Sequence, residues 1–418
     1  MPESEYLVRC GRLYDGRTPE LLENQDVLIQ GDKIAAVGRN LPRPSGAVIV
    51  DLGHLTVTPG LIDAHIHTDI FRWEHLNGLL AASPHWITLG HLHTAQRTLE
   101  RGFTTIRAMG LLDPGFGIVD VKRAIDAGYF SGSRMVVACH MLGAEGSHAD
   151  YSQFFTANPE RADFIQMPHI GTGADHFRQA VRREFKYGGD FIKFFMSGGF
   201  ATPNDGPEEQ QLSAAEVAAV IDTAHALGRQ ATAHVYAPPE INLLLDHGID
   251  GLEHAAMIDE PTARRVEAAG VYLVPTFSPY DEIIDIDEAS LKKKPPEFEQ
   301  KLREYAQRLA DGRRVIAESK IRLGFGSDLV AVHQAYESWY EYGCWLRAGI
   351  DPFRALAAAT SVNAGILGLP RVGAVAPGCL ADLAGWRRDL LADPAALSEC
   401  AFVMKGGRRH PSNCPDEA

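Results

Sequence analysis

The 418-residue chain has no apolar run long enough to span a bilayer, and Met1 to Gly11 is acidic and mixed where a secretory signal would show a basic start and an apolar stretch. The expectation is a soluble, cytoplasmic protein with no membrane partner. Its six cysteines, at 10, 139, 344, 379, 400 and 414, include no Cys-x-x-Cys pair, so neither a disulfide framework nor a thiolate zinc site is suggested. No Gly-x-Ser-x-Gly elbow supports a serine nucleophile, and no glycine-rich phosphate loop stands out. Clustered basic residues are missing too. With 40 Lys and Arg against 54 Asp and Glu, the formal net charge is -14, which argues against nucleic-acid binding. A small-molecule substrate is the remaining default, with homo-oligomeric assembly expected.

A composition that is 45% hydrophobic and 22% charged is enough to bury a sizeable core. The first segment reads as short strands, Tyr6 to Arg9, Asp26 to Gln30, Lys33 to Val37 and Ala47 to Asp51, split by the Gly31-Asp32 turn and by Pro42 and Pro44. After Pro59-Gly60 apolar strands alternate with amphipathic helices, the pattern of a parallel sheet with crossover helices. Eight such strands can be counted: Leu61 to Ala64, Thr104 to Ala108, Met135 to Cys139, Phe191 to Phe194, Gln230 to Ala233, Gly251 to Glu253, Val271 to Val274 and Arg322 to Gly326. Eight is the number of a (β/α)8 TIM barrel. Strand signals return at Gly378 to Ala384 and Ala401 to Met404. The predicted architecture is therefore α/β: a barrel over residues 59–368 and a small β-sandwich domain formed by the N- and C-terminal segments, 1–58 plus 369–418. The stretch from Pro279 to Ser319 reads as a solvated helical excursion or, more sharply, as a lid over the barrel mouth.

The candidate ligands all fall at strand ends. His65 and His67 close the first strand, Lys193 the fourth, His234 the fifth, His254 the sixth and Asp328 the eighth, and barrel enzymes place their chemistry at those ends. Each residue alone has a plainer reading, as a hydrogen-bonded core histidine or, for Asp328 after Gly326-Ser327, as a helix cap. Together they point to a metal. Residues i and i+2 of a strand face the same side, so His65 and His67 can grip one ion. Lys193 sits inside Phe191-Ile192-Lys193-Phe194-Phe195, where a bare ammonium is costly to bury, so something should compensate it.

These residues carry a resemblance. Pro59-Gly60-Leu61-Ile62-Asp63-Ala64-His65-Ile66-His67 resembles the first-strand motif of the amidohydrolase superfamily, and Gly326-Ser327-Asp328 its eighth-strand motif, where Thr is commoner than Ser327. Gly378 to Leu383 is similar to its closing G-x-x-A-D-L strand. Phe191 to Gly199 resembles the subgroup with a carboxylated lysine bridging two metals, which includes dipeptidases, carboxypeptidases and ochratoxinase-like amide hydrolases. The resemblance implies two divalent metal ions, zinc first, with cobalt, manganese or iron as alternatives. His65, His67 and Asp328 would hold the more buried ion, His234 and His254 the second, and carboxylated Lys193 both. Glu145 to Asp150 matches the subgroup's T-G-G-H-G-D loop only at Gly146, His148 and Asp150, and His234-Val235-Tyr236 resembles its H-A-Y. His148 and Tyr236 are thereby implied as substrate contacts, although Tyr236 could equally be a packed rim aromatic.

The implied reaction is cleavage of a peptide-like C–N bond in a dipeptide or N-acyl amino acid by metal-activated water. Asp328 would act as the base, with Tyr236 and His148 polarising the carbonyl. Rival readings are a cyclic amide, urea or carbamate hydrolase, a deaminase, or a non-catalytic scaffold. Lys193 counts against the deaminases, which more often use one metal, and an intact ligand set counts against the scaffold. His140, at the end of the third strand, is a pocket candidate by position alone. His75, His85, His91 and His93 read as an excursion whose density, with Trp73 and Trp86, hints at a rim, and His169, His176, His225 and His247 read as helix or surface residues.

Overall fold

The computed structural model describes residues 5–69, 82–110, 113, 115–155, 158, 160, 167–202, 204–284, 292, 296–329 and 334–414. Its strands follow the hydrophobic pattern. In β2 (Leu22–Gln30), which follows β1 (Glu5–Leu13), burial alternates through Gln25, Val27 and Ile29, the period of a sheet with one face on a core. Gly31, at φ +61°, turns the chain into β3 (Lys33–Gly38), and β4 (Val48–Pro59) returns beside β1 in parallel.

From there the chain alternates strands and helices. Strands β5 (Leu61–Ile66), β6 (Phe103–Ala108) and β7 (Arg134–Val137) form a parallel three-stranded sheet. A second parallel sheet runs in the order β13, β12, β11, β10, β9, β8 through β8 (Met141–Leu142), β9 (Ile192–Phe195), β10 (Ala231–Val235), β11 (Gly251–His254), β12 (Tyr272–Val274) and β13 (Arg322–Leu323). The third expected strand, Met135 to Cys139, thus ends early at Val137, and β8, which starts at Met141, pairs in the second sheet. The cause is local. The His140 N–H is taken by Glu184 Oε2 at 3.0 Å rather than by a neighbouring strand. At the other edge, Ala64 N–H donates to Phe325 O at 2.8 Å and Asp328 N–H to His65 O at 2.9 Å, so backbone bonds also join β5 to the segment after β13.

The crossover helices are α1 (Pro84–Glu100), α2 (Gly117–Asp126), α3 (Ala174–Tyr187), α4 (Ala214–Ala226), α5 (Pro238–Asp246) and α6 (Glu260–Ala269). Three of them start on recognisable caps: Ser83 accepts from Trp86 N–H, Ser213 and Glu216 form a capping box, and Asp259 accepts from Thr262 N–H. The excursion after β12 forms α7 (Phe277–Ile284) and α8 (Pro296–Glu318). Much of its middle, with Lys293 and Lys294, lies outside the described residues. Helices α9 (Trp339–Arg347), α10 (Pro352–Ala357) and α11 (Asn363–Ile366) follow.

The chain then comes home. β14 (Leu383–Trp386) pairs antiparallel with Thr56 to Pro59 of β4, and β15 (Cys400–Lys405) turns through Gly406 and Gly407, both at positive φ, into β16 (Arg408–His410). The result is one seven-stranded sheet in the order β16, β15, β14, β4, β1, β2, β3, which packs Val8, Val27, Ile29, Val57, Leu383 and Met404 into its own core. Asp382 ties it to the parallel strands by accepting from Arg134 at 2.7 Å and from Gly406 N–H at 2.7 Å. Among the described residues no helix is long and apolar enough to cross a membrane.

Candidate active site

The ends of the parallel strands bring His65, His67, Lys193, His234, His254 and Asp328 to one cavity. Asp328 Oδ1 lies 3.2 Å from His67 Nε2 and 3.5 Å from His65 Nε2. The His254 ring centroid is 5.0 Å from that of His65 and 4.6 Å from that of His234. His65, His254 and Asp328 each offer a ligand atom, all within 4.8 Å of one another. All six residues are buried.

The residues fit a metal by a specific observation. His65 Nε2 is buried and has no hydrogen-bond partner, an expensive condition for a polar atom unless something else engages it. The far nitrogens are already spoken for. His65 Nδ1 is 2.7 Å from Glu253 Oε2, His67 Nδ1 2.7 Å from Gly110 O, and His254 Nδ1 2.7 Å from Thr276 Oγ1. Such partners orient an imidazole and leave its Nε2 lone pair for a ligand bond. His234 is arranged the other way, with Nε2 3.2 Å from Gly198 O, so Nδ1 is its free nitrogen.

Electrostatics favour the ligating forms. Burial pushes His65, His234 and His254 well below the usual imidazole range, so they stay neutral. Burial also lowers the Lys193 ammonium to about 8. Burial alone would raise the Asp328 carboxyl, but His65, His67 and Lys193 outweigh it and hold Asp328 below its ordinary range.

Backbone strain gathers at the same place. His254 (φ +71°), Ala255 (+47°), Thr276 (+47°) and Asp328 (+46°) all adopt the left-handed conformation that non-glycine residues avoid, at a cost of about 1–3 kcal/mol each. At His254 this breaks the strand period, so Glu253 and His254, though adjacent, both serve the site.

Several supporting residues carried no role in the sequence reading. Glu253 accepts from Arg107 Nη2 at 2.7 Å and Thr232 Oγ1 at 2.6 Å while holding His65, and Arg107 continues to Tyr272 Oη and Ala64 O. A carboxylate inside the apolar strand Gly251-Leu252-Glu253 was the available signal, by the argument applied to Lys193. Asp63 accepts from His65 N–H at 2.9 Å and from Ser327 Oγ at 2.6 Å, fastening the β5 end to the Asp328 segment. Ser327→Ala should therefore destabilise the protein by about 1.5–3 kcal/mol, the range for a hydrogen bond to a charged group. A lower apparent Tm in thermal denaturation is expected, and an unchanged Tm would show that Asp63 finds another donor.

The predicted substrate contacts separate. His148 and Tyr236 line the cavity, whereas His140 does not. His140 Nδ1 is bonded to Glu184 at 2.8 Å, and its ring stacks on His169 at 4.6 Å. His148 Nδ1 meets Thr202 Oγ1 at 2.5 Å and Asp205 Oδ2 at 3.3 Å, which leaves Nε2 free to act. Asp205 belongs to a loop with no motif to mark it. The excursion contributes to the wall: α7 brings Pro279, Tyr280 and Ile283, and Lys301 of α8 donates to Gly199 O and Thr202 O beside His148. Of the remaining histidines, His85, His91, His93, His169, His176, His225 and His247 are absent from this lining. His75, like Trp73, lies outside the described residues.

A parallel α/β scaffold with histidines, a lysine and an aspartate converging at its strand ends defines a class of hydrolytic enzymes built around a metal-binding site. The chain belongs to the amidohydrolase family, whose model matches residues 56–409, and it is a hydrolase acting on carbon–nitrogen bonds. It is 26% identical to the ochratoxinase of Aspergillus niger over 373 residues, covering 84% of this chain and 74% of that protein. Its fold is similar to a crystal structure of an amidohydrolase, at a TM-score of 0.85 and 29% identity, covering 98% of this chain and 100% of the other. It is also similar to an Xaa-Pro dipeptidase with methionine bound in the active site, at a TM-score of 0.86 and 24% identity, covering 97% and 100%.

Proposed function

We propose that this protein cleaves the amide C–N bond of a small substrate such as a dipeptide or an N-acyl amino acid. The observation that carries this reading is the convergence of six side chains from five strand ends on a cavity where His65 Nε2 is left unpaired. Relatives named as an ochratoxinase and an Xaa-Pro dipeptidase support an amide-type substrate. In this proposal the parallel strands close as a (β/α)8 barrel over residues 59–368, beside a β-sandwich domain from 1–58 and 369–418. The backbone bonds from Ala64 to Phe325 and from Asp328 to His65 support closure. Cytoplasmic location and homo-oligomeric assembly belong to the same proposal.

His65, His67 and Asp328 would hold one divalent ion and His234 and His254 a second, zinc suiting the imidazole and carboxylate donors. Lys193 would bridge them as a carbamate. Its ammonium, lowered to about 8, is partly neutral at physiological pH, and the free amine can add to carbon dioxide with loss of one proton. When bound, the ions supply Lewis acidity to the attacking water and to the scissile carbonyl.

The chain's own groups do the rest. Asp328 takes the water's proton and returns it to the leaving nitrogen. Tyr236 donates to the carbonyl oxygen as it gains charge, and His148 does so from Nε2 when its ring carries both protons, the Nδ1 proton resting on Thr202 and Asp205. Phe195, Phe200, Tyr236 and Tyr280 form an aromatic wall that excludes solvent from the reacting atoms.

The test is a hydrolysis screen of the zinc-loaded protein against dipeptide and N-acyl amino acid libraries. At least one member should reach a kcat/KM of about 10⁴ M⁻¹s⁻¹, the low end of the ordinary enzymatic range. Turnover confined to cyclic amides, ureas or aminopurines would move the protein to another branch of the family.

A further inference from the structure

Behind Tyr236 runs a line of buried hydroxyl groups that ends on a candidate metal ligand. Tyr236 Oη lies 2.8 Å from Tyr280 Oη, the Tyr280 side chain is hydrogen-bonded to that of Thr276, and Thr276 Oγ1 lies 2.7 Å from His254 Nδ1. All four residues are buried. The line is built to stay in place. Glu341 accepts from the Phe277 and Ser278 N–H groups at the start of α7, and Asp281, next to Tyr280, is clamped by Arg313 at 2.7 Å and Arg347 at 3.3 Å.

Such a line has a direction, because each hydroxyl has one proton to give. If His254 ligates through Nε2, its proton is on Nδ1 and is donated to Thr276 Oγ1. Thr276 then gives its proton to Tyr280, and Tyr280 gives its own to Tyr236. The Tyr236 proton is left for the cavity. With the opposite polarity Tyr236 would spend its proton on Tyr280 and turn only lone pairs toward a substrate carbonyl, which repels them.

We propose that Tyr280 and Thr276 are positioning residues that set the donor direction of Tyr236, so that the tautomer of His254 at the end of β11 determines which way the hydroxyl at the end of β10 points. This rests on the proposed roles of His254 and Tyr236 above. Neither Tyr280 nor Thr276 exchanges a proton with substrate. Their effect is to keep Tyr236 a donor before the carbonyl oxygen gains charge, which is when a preoriented dipole is most effective.

A double-mutant cycle on the zinc-loaded enzyme separates this from a packing role. Tyr236→Phe, Tyr280→Phe and the double variant are compared for kcat, KM, metal content and, by calorimetry, affinity for the N-methylphosphonate derivative of the best amino acid from the screen, a tetrahedral analogue. Tyr236→Phe should lower kcat by about 10²-fold, the usual loss for one oxyanion donor. Tyr280→Phe should lower it by about tenfold, as supporting partners do, with KM within about twofold. Analogue affinity should fall by matching factors while metal content stays unchanged, and the double variant should match Tyr236→Phe. At saturating zinc, Thr276→Ser should keep wild-type kcat, and Thr276→Val, which also takes the acceptor from His254 Nδ1, should lose at least what Tyr280→Phe loses, which preserves the test if Tyr280→Phe misfolds. An undiminished tenfold cost of Tyr280→Phe in the Tyr236→Phe background overturns the coupling alone. A wild-type rate for Tyr236→Phe removes the donor itself and overturns the proposed role of Tyr236 along with it.

Discussion

Lys193→Ala is expected to lose the proposed metal pair and to lower kcat by more than about 10²-fold, beyond what losing a ligand's supporting partner costs. The expectation follows from burial. Lys193 is 1% exposed between Ile192 and Phe194, and an alanine leaves a gap where an anionic bridge is proposed. A short carboxylic acid added to the variant should enter that gap and restore part of both metal content and rate. Elemental analysis and a rate assay with and without acetate or propionate read the outcome. Wild-type metal content and rate in Lys193→Ala would refute the bridging assignment.

Asp328→Asn is expected to keep most of its metal while kcat falls by about 10²-fold or more, the range for a positioned acid or base. Asparagine preserves the shape and one ligating oxygen but cannot take a proton, so it separates the two roles of this carboxylate better than alanine does. Asp328 suits the work because its carboxyl lies below its ordinary range and its oxygens reach both His67 and the His254 side of the cavity. KM should change much less, since the proposed substrate contacts, His148, Tyr236 and the aromatic wall, lie elsewhere in the cavity. A wild-type rate with both metals in place would reduce Asp328 to a ligand.

What could be read from the sequence was whatever strand geometry or desolvation encodes locally. His65 and His67 were legible because alternate residues share a face, and Lys193 because a lone ammonium has no place in Phe191-Ile192-Lys193-Phe194-Phe195. The partners of these residues were not legible, since they come from far along the chain. Glu253 reaches His65 across 188 positions and Asp63 reaches Ser327 across 264, and no local period records such a pairing. His140 shows the opposite limit. Its place at a strand end suggested the cavity, but Glu184, 44 residues on, takes both its backbone N–H and its Nδ1 and turns it elsewhere. The same carboxylate takes the His140 N–H in the gap between β7 and β8, which an apolar run cannot foretell. The Tyr280 hydroxyl lay in an excursion whose charged composition pointed to solvent, and only its packing beside Tyr236 shows what it faces.

The central claim is that the strand-end cluster is a two-metal hydrolytic centre. Its most direct test is elemental analysis of protein purified without added chelator, paired with its amide hydrolysis rate before and after metal removal. The expected result is close to two divalent ions per chain, with hydrolysis abolished on their removal and restored on readdition. Full activity in protein that contains no metal would contradict the account.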